Sequence, residues 1–283
     1  MVLESLVNPL GAEARPAKMF LYGLLYSSVA VLLAIWIFKG HSSLVMVFLT
    51  TLACVPLMYN TMRIEEQKDE TIIEERILLK EHGKALSFFI FLFLGVVVSL
   101  VGWYVFLPSG IANDLFSVQT ETIASINSNV TGAAVQFSIF TKIFLNNVKV
   151  MIFCILFAFV YGVGAIFILT WNASVIGVAI GNFIRTNLSG VSTAVGLGAA
   201  GSYFRIFSLG LLKYSVHGIP EILAYFTAGL AAGIVSIAMT RHSLDAVKFR
   251  RVLRDSADLI IASVVLLAVA GLLEVYVTPV LFS

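Results

Sequence analysis

Met19–Phe38 reads MFLYGLLYSSVAVLLAIWIF, twenty residues without one charged side chain. Wound as an α-helix at about 1.5 Å per residue, such a run covers the roughly 30 Å hydrocarbon core of a bilayer. Outward from it the pattern recurs. Ser42–Tyr59, bent or ended near Pro56, Ala85–Leu107 and Val150–Thr170 are free of charge, and Glu221–Thr240 and Leu259–Val280 hold one carboxylate each. The runs are continuous rather than alternating, so they read as helices and not as strands of a barrel.

Composition agrees. Of 283 residues, 59% are hydrophobic and only 12% charged, with a mean hydropathy of +0.99. A soluble domain carries about twice that charged fraction, so lipid is the solvent for much of this chain. A net charge of +2 makes no case for nucleic acid. Cys54 and Cys154 each lie inside an apolar run and read as small buried hydrophobes, not as a disulfide framework or a metal site. The first run follows Arg15 and Lys18, as in a signal peptide, but its length and the lack of a clear small-residue cleavage site point to an uncleaved anchor.

Charge bias orients the spans. Arg15 and Lys18 precede the first; of the eighteen Lys and Arg residues, five lie in 61–84 and five in 241–258, whereas 108–147 holds only Lys142. The N-terminus and both basic segments are therefore expected in the cytoplasm, and 108–147 and the C-terminus outside. Six clear runs do not close this topology. An odd number of crossings must fall within 171–219, where Trp171–Ile184 is short and Val191–Leu212 contains Arg205 and much glycine. The expected architecture is an all-α transmembrane bundle of about seven crossings, one of them short or broken. It divides into an N-terminal hairpin (1–60), a charged cytoplasmic stretch (61–84) and a membrane domain (85–283). In 61–84, Glu–Lys and Glu–Arg pairs at helical spacing suit a solvated helix that serves as a stalk or a docking surface. Asn129-Val-Thr131 is a weak glycosylation sequon on the outer side.

Small residues recur at four-residue spacing, Gly177 with Gly181 and Gly229 with Gly233, and such faces let helices approach closely in lipid, within one chain or between copies. Gly196–Gly201 matches a dinucleotide fingerprint in letters only, since no strand precedes it. The most informative stretch is His217-Gly218-Ile219-Pro220-Glu221. Pro220 and Glu221 suit the first turn of a helix, yet ionisable groups at membrane depth are costly and point to function. A His217–Glu221 metal pair is disfavoured because Pro220 interrupts the helix that would align it. Asn146, Asn147, Asn172 and Asn182 are further polar candidates, and Glu274 needs a partner, for which Arg205 and Lys213 are the available cations. Protease, nucleotide, haem and redox signatures are absent, so no cofactor and no catalytic set is expected.

Asn146-Asn147-Val148, Tyr161-Gly162-Val163-Gly164, Trp171–Gly177, His217–Glu221 and Ala228–Gly233, in that order, resemble the stage II sporulation protein M (SpoIIM) family of prokaryotic integral membrane proteins, over roughly residues 85–280. The family commonly has Asn-Gly where this chain has Asn172-Ala173, and the 19–59 hairpin with its charged stretch looks like an addition. The resemblance implies a protein of the prokaryotic plasma membrane whose named relative works beside peptidoglycan-degrading partners without being the hydrolase. The leading expectation is a non-enzymatic scaffold, homo-oligomeric, organising membrane or envelope partners. The alternative is a transporter or lipid-handling protein with a polar site at broken helices in 171–221, where Glu221 binds a proton or cation. A metal-dependent intramembrane hydrolase is a minor third. The charge-bias topology is checked by labelling Ser189→Cys and Ser243→Cys in intact cells: the two thiols should react from opposite sides of the membrane.

Overall fold

The computed structural model describes residues 16–130, 136–161, 164–189, 197–240 and 246–281. Arg15, Thr131 of the sequon, Gly196 and Arg241 lie outside these, as do both labelling positions in whole or in side chain. Every extended element among the described residues is helical: α1 (Ala17–Ile37), α2 (Ser42–Thr71), α3 (Glu75–Phe106), α4 (Ser109–Leu115), α5 (Ser117–Val130), α6 (Gln136–Tyr161), α7 (Ala165–Ser189), α8 (Leu197–Thr240), α9 (Ala246–Leu272) and α10 (Thr278–Leu281). A π-helical turn, Leu273–Val277, joins the last two. Seven of these helices, α1, α2, α3, α6, α7, α8 and α9 with its continuation, are long and apolar enough to cross a membrane.

The count of seven agrees with the charge argument, but the expected broken crossing is corrected. α6 ends at Tyr161 and α7 begins at Ala165, inside the run assigned to one span, so α7 is a regular helix of 25 residues holding both Trp171 and Ile184. Glycine explains the turn. A Cβ on Gly164 would collide with the carbonyl of Phe157, so the backbone there closes on itself in a way only glycine permits. Hydropathy does not register this, because a glycine inside an apolar run changes neither charge nor length.

A second correction concerns the His217–Glu221 stretch. Pro220 is not in a first turn; it lies inside α8, which runs 44 residues without a break. A proline there leaves the carbonyl of Val216 without its helical N–H, a defect that soluble helices rarely accept and membrane helices tolerate. Glu221 is therefore about 25 Å from Phe204 and about 28 Å from Thr240, the ends of that apolar span. It is near the middle of the span and not at its edge.

Packing is close and uses the small residues. Gly23 of α1 and Gly95 of α3 face each other's helices so tightly that a Cβ on either would meet the backbone carbonyl of Leu92 or Phe20. The same pair of helices is tied by a Ser28–Ser99 hydroxyl contact of 3.0 Å and by Trp103, whose Nε1 donates to Ser28 at 3.1 Å. Gly177 and Gly181 of α7 receive Leu100 and Tyr104 of α3, and Gly229 of α8 receives Ala165 of α7. Gly233 is likewise buried. Both small-residue pairs therefore serve packing within the chain. Phe89 of α3 stacks on Phe226 of α8 at 5.4 Å, and α8 from Ala224 to Ile234 is buried throughout, making it the central helix. Ser43 of α2 donates to Gln119 of α5, which donates in turn to Ser174 of α7 at 3.2 Å, so polar groups between helices find partners without water.

Replacing Gly95 with leucine should force α1 from α3 and cost about 2 kcal/mol or more, read as a lower melting temperature in detergent. Gly102→Ala, on the same helix with open space at its Cβ, should melt at or above the parent.

Candidate functional site

A turn of α-helix brings residues four apart onto one face. Because α8 continues through Pro220, His217, Glu221 and Tyr225 form a ladder along its side. Tyr225 is fully buried and its hydroxyl donates to Glu221 Oε1 at 2.8 Å. Asn147 of α6, also buried, comes within hydrogen-bonding reach of the same carboxylate, and Glu274 is near enough to act on it electrostatically. Two half-buried carboxylates from separate helices thus lie within electrostatic reach of one another.

Glu274 lies in the π-helical turn. Such turns widen a helix by one residue and are frequent at functional sites. Here Thr278, just beyond it, donates its hydroxyl to the carbonyl of Leu273 at 3.0 Å. His217 Nδ1 lies 3.3 Å from the same hydroxyl. The site has three walls: α6 with Asn147, α8 with His217, Glu221 and Tyr225, and the π-turn with Glu274 and Thr278.

Several residues singled out from the sequence do not join it. Asn146 is exposed on α6. Asn172 donates to the carbonyl of Ile168 at 2.8 Å on its own helix. Arg205 is exposed, and Lys213 places its ammonium 5.5 Å above the ring of Phe183, so neither is the partner of Glu274. Asn182 is exposed on α7. Gly218 and Pro220 shape the helix without offering a side-chain group. Tyr225 and Thr278 were not anticipated. The spacing of Tyr225 from Glu221 was a usable signal once the helix was known to continue, whereas Thr278 depends on the π-turn, which has no signature in the letters. Among the described residues no three His, Cys, Asp or Glu side chains are grouped to hold a metal.

A second polar cluster sits far from this one. α2 extends beyond its apolar part to Thr71 and α3 begins at Glu75, so most of 61–84 is a helical hairpin. Its inner face is buried: Glu65, Glu66, Asp69 and His82 are 0%, 0%, 1% and 2% exposed. His82 Nδ1 is 2.7 Å from Glu65 Oε2, and Nε2 is 3.0 Å from Asp69 Oδ1, an ion contact out of line for a good hydrogen bond. Carboxylates only accept, so an imidazole between two of them is held as imidazolium. Lys68 adds a contact to Glu65 at 2.6 Å and one to Glu81 at 3.3 Å.

These features define a class: a polytopic helical membrane protein with a built polar centre inside its apolar span. The comparison with known families narrows it. The family model described as SpoIIM, Stage II sporulation protein M, matches residues 87–279, and the chain belongs to that family. The match covers α6, α8 and the π-turn, so the whole polar centre is within the family's part of the chain. No curated protein and no solved structure matches the chain.

Removing the imidazolium from the buried cluster should be costly, because it takes the facing cation from buried Asp69 and leaves Glu65 with Lys68 alone. His82→Ala is expected to lose about 3 kcal/mol of stability, measured by thermal melting in detergent. Lys84→Ala, on the exposed side of the same helix, should change little.

Proposed function

We propose that this chain is a transport protein of the prokaryotic plasma membrane that takes up a proton or small cation at Glu221 and Glu274. One observation carries the reading: Glu221, supported by Tyr225 and Asn147 within an apolar bundle, has a second carboxylate, Glu274 of the π-turn, within electrostatic reach from another helix. A pair of ionisable groups is expensive in that setting and adds nothing to packing that leucine would not. What it adds is a place where positive charge can bind and leave. The proline defect of α8 and the π-turn of the last helix lie beside the pair, and such interruptions are where membrane transporters commonly build ion sites. In this role Glu221 is the binding carboxylate, Tyr225 and Asn147 orient it, Glu274 shares the bound charge, and His217 relays a proton or ligates through its ring. The chain would act as a carrier and not as an enzyme.

The scaffold reading stands second, and family membership favours it, since the family's description names a sporulation protein. Its homo-oligomeric form has less support, because Gly177, Gly181, Gly229 and Gly233 are spent inside one chain.

The test is ion flux in proteoliposomes, with a pH-sensitive dye inside and potassium or sodium gradients imposed. The parent should carry a proton or cation flux, Glu221→Gln should abolish it, and Asn172→Ala should leave it intact. Absence of flux in every sample, together with retention of the same membrane partners by parent and Glu221→Gln in pull-downs, sinks the transport reading in favour of the scaffold.

A further inference from the structure

α6 is the spanning helix that the chain covers least: 22% of its apolar stretch is buried, the smallest share among the seven spans. Its outward face is not wholly apolar. At helical spacing it carries Lys142, Asn146 and Lys149, and beyond them Phe153, Leu156 and Val160, all six exposed. Lys149 is about 18 Å from Phe137 and about 17 Å from Val160, the ends of the span. Asn147 fixes the depth a second way. From the buried side of the same helix turn it reaches Glu221, near the middle of the α8 span.

A lysine turned outward at that depth is costly in hydrocarbon. Nothing within the chain relieves it, for among the described residues neither Lys142 nor Lys149 has an ion-pair partner. Snorkelling does not serve either. Side chains lean toward the N-terminus of their helix, so the four-carbon stem of Lys149 leads along the stripe to Asn146 and Lys142. The charge it approaches there is another cation. The face therefore calls for an anion from outside the chain, held at membrane depth and beside an apolar surface. Lipid phosphates lie outside the roughly 30 Å hydrocarbon core, too far out for Lys149. A second copy offers no exposed carboxylate at this depth, since Glu221 and Glu274 are half-buried within reach of each other. A carboxylate on a spanning helix of a different protein meets each requirement.

We propose that the outward face of α6 docks a transmembrane helix of another membrane protein, whose Asp or Glu pairs with Lys149 while its apolar residues pack on Phe153, Leu156 and Val160. Asn146 and Lys142, one and two turns along, bracket the same carboxylate from the other side. This gives a place to Asn146, which takes no part in the polar site around Glu221. Because Asn147 sits on the opposite side of the same turn, a helix seated on α6 bears on the support of Glu221 from behind. The proposal does not rest on ion transport, since a membrane scaffold needs such a face as much as a carrier does.

The experiment is Förster transfer in phosphatidylcholine vesicles between full-length protein labelled at its N-terminus and synthetic leucine–alanine spanning peptides with a central Glu, Gln or Lys. The parent should bind the Glu peptide about tenfold more tightly than the Gln peptide, as a good interhelical polar contact in lipid implies. The Lys peptide should bind least. Lys149→Gln should erase the preference without lowering the melting temperature, because the side chain it replaces is exposed. Lys149→Glu should reverse it in favour of the Lys peptide. Lys39→Gln, in the turn before α2, should bind as the parent does. Equal binding of the Glu and Gln peptides by the parent, binding of none, or an unchanged preference in Lys149→Gln overturns the proposal. A preference that vanishes when phosphatidylglycerol is added assigns the face to lipid phosphate and overturns it too. Transfer between two labelled copies of the parent that Lys149→Gln abolishes assigns the face to a second copy, with the same consequence.

Discussion

A polar atom inside the hydrocarbon layer has no water to turn to, so it must find its partner within the protein or cost several kcal/mol. Much of this molecule can be read as the working-out of that constraint. It makes every spanning element a helix, and it makes serine and threonine hydroxyls return to carbonyls one turn back, as Thr50, Thr51, Thr170 and Ser263 do. It also explains why Ser43, Gln119 and Ser174 are strung between three helices. With interior groups so matched, the two carboxylates at Glu221 and Glu274 stand out as groups no packing argument requires.

Apolar burial cannot drive one helix against another in lipid as it does in water, so close approach has to do it. Gly23 against Leu92, Gly95 against Phe20, Gly177 against Leu100 and Gly229 against Ala165 are the places where backbones come near enough for dispersion to add up. These contacts fix α3, α7 and α8 as a unit. The polar ladder then follows as the face of α8 turned to α6 and the π-turn.

The charged hairpin at the end of α2 and the start of α3 obeys different physics. Its outer residues behave as any solvated helix with Glu–Lys pairs would. Its inner residues form a compact ionic knot around His82 that joins the two helices where the chain reverses at Ile72–Glu74. The density of charge in 61–84 suggested solvent exposure for all of it. That inference fails for Glu65 and Asp69 because opposite charges brought together by a tertiary contact can be buried, whereas composition counts them singly.

Membrane residence, helical class and the need for a seventh crossing were legible from charge-free runs and the distribution of Lys and Arg, because hydrocarbon thickness and the cost of charge act on local sequence. The same is true of His217 and Glu221 as residues worth noticing, and of Asn147 and Glu274 as polar groups in need of partners. Which of them meet was not legible. Asn172 and Asn147 look alike in sequence, yet one bonds its own helix and the other reaches Glu221. The break at Gly164, the unbroken run of α8 through Pro220 and the π-turn at Glu274 depend on backbone geometry that hydropathy does not see. The sequence alone determined that this chain lives in a bilayer and carries ionisable groups there. Only the tertiary structure decided that Tyr225 and Asn147 reach Glu221 and that Glu274 comes within its electrostatic reach, because which groups pair across helices is set by helix register and close approach and not by distance along the chain.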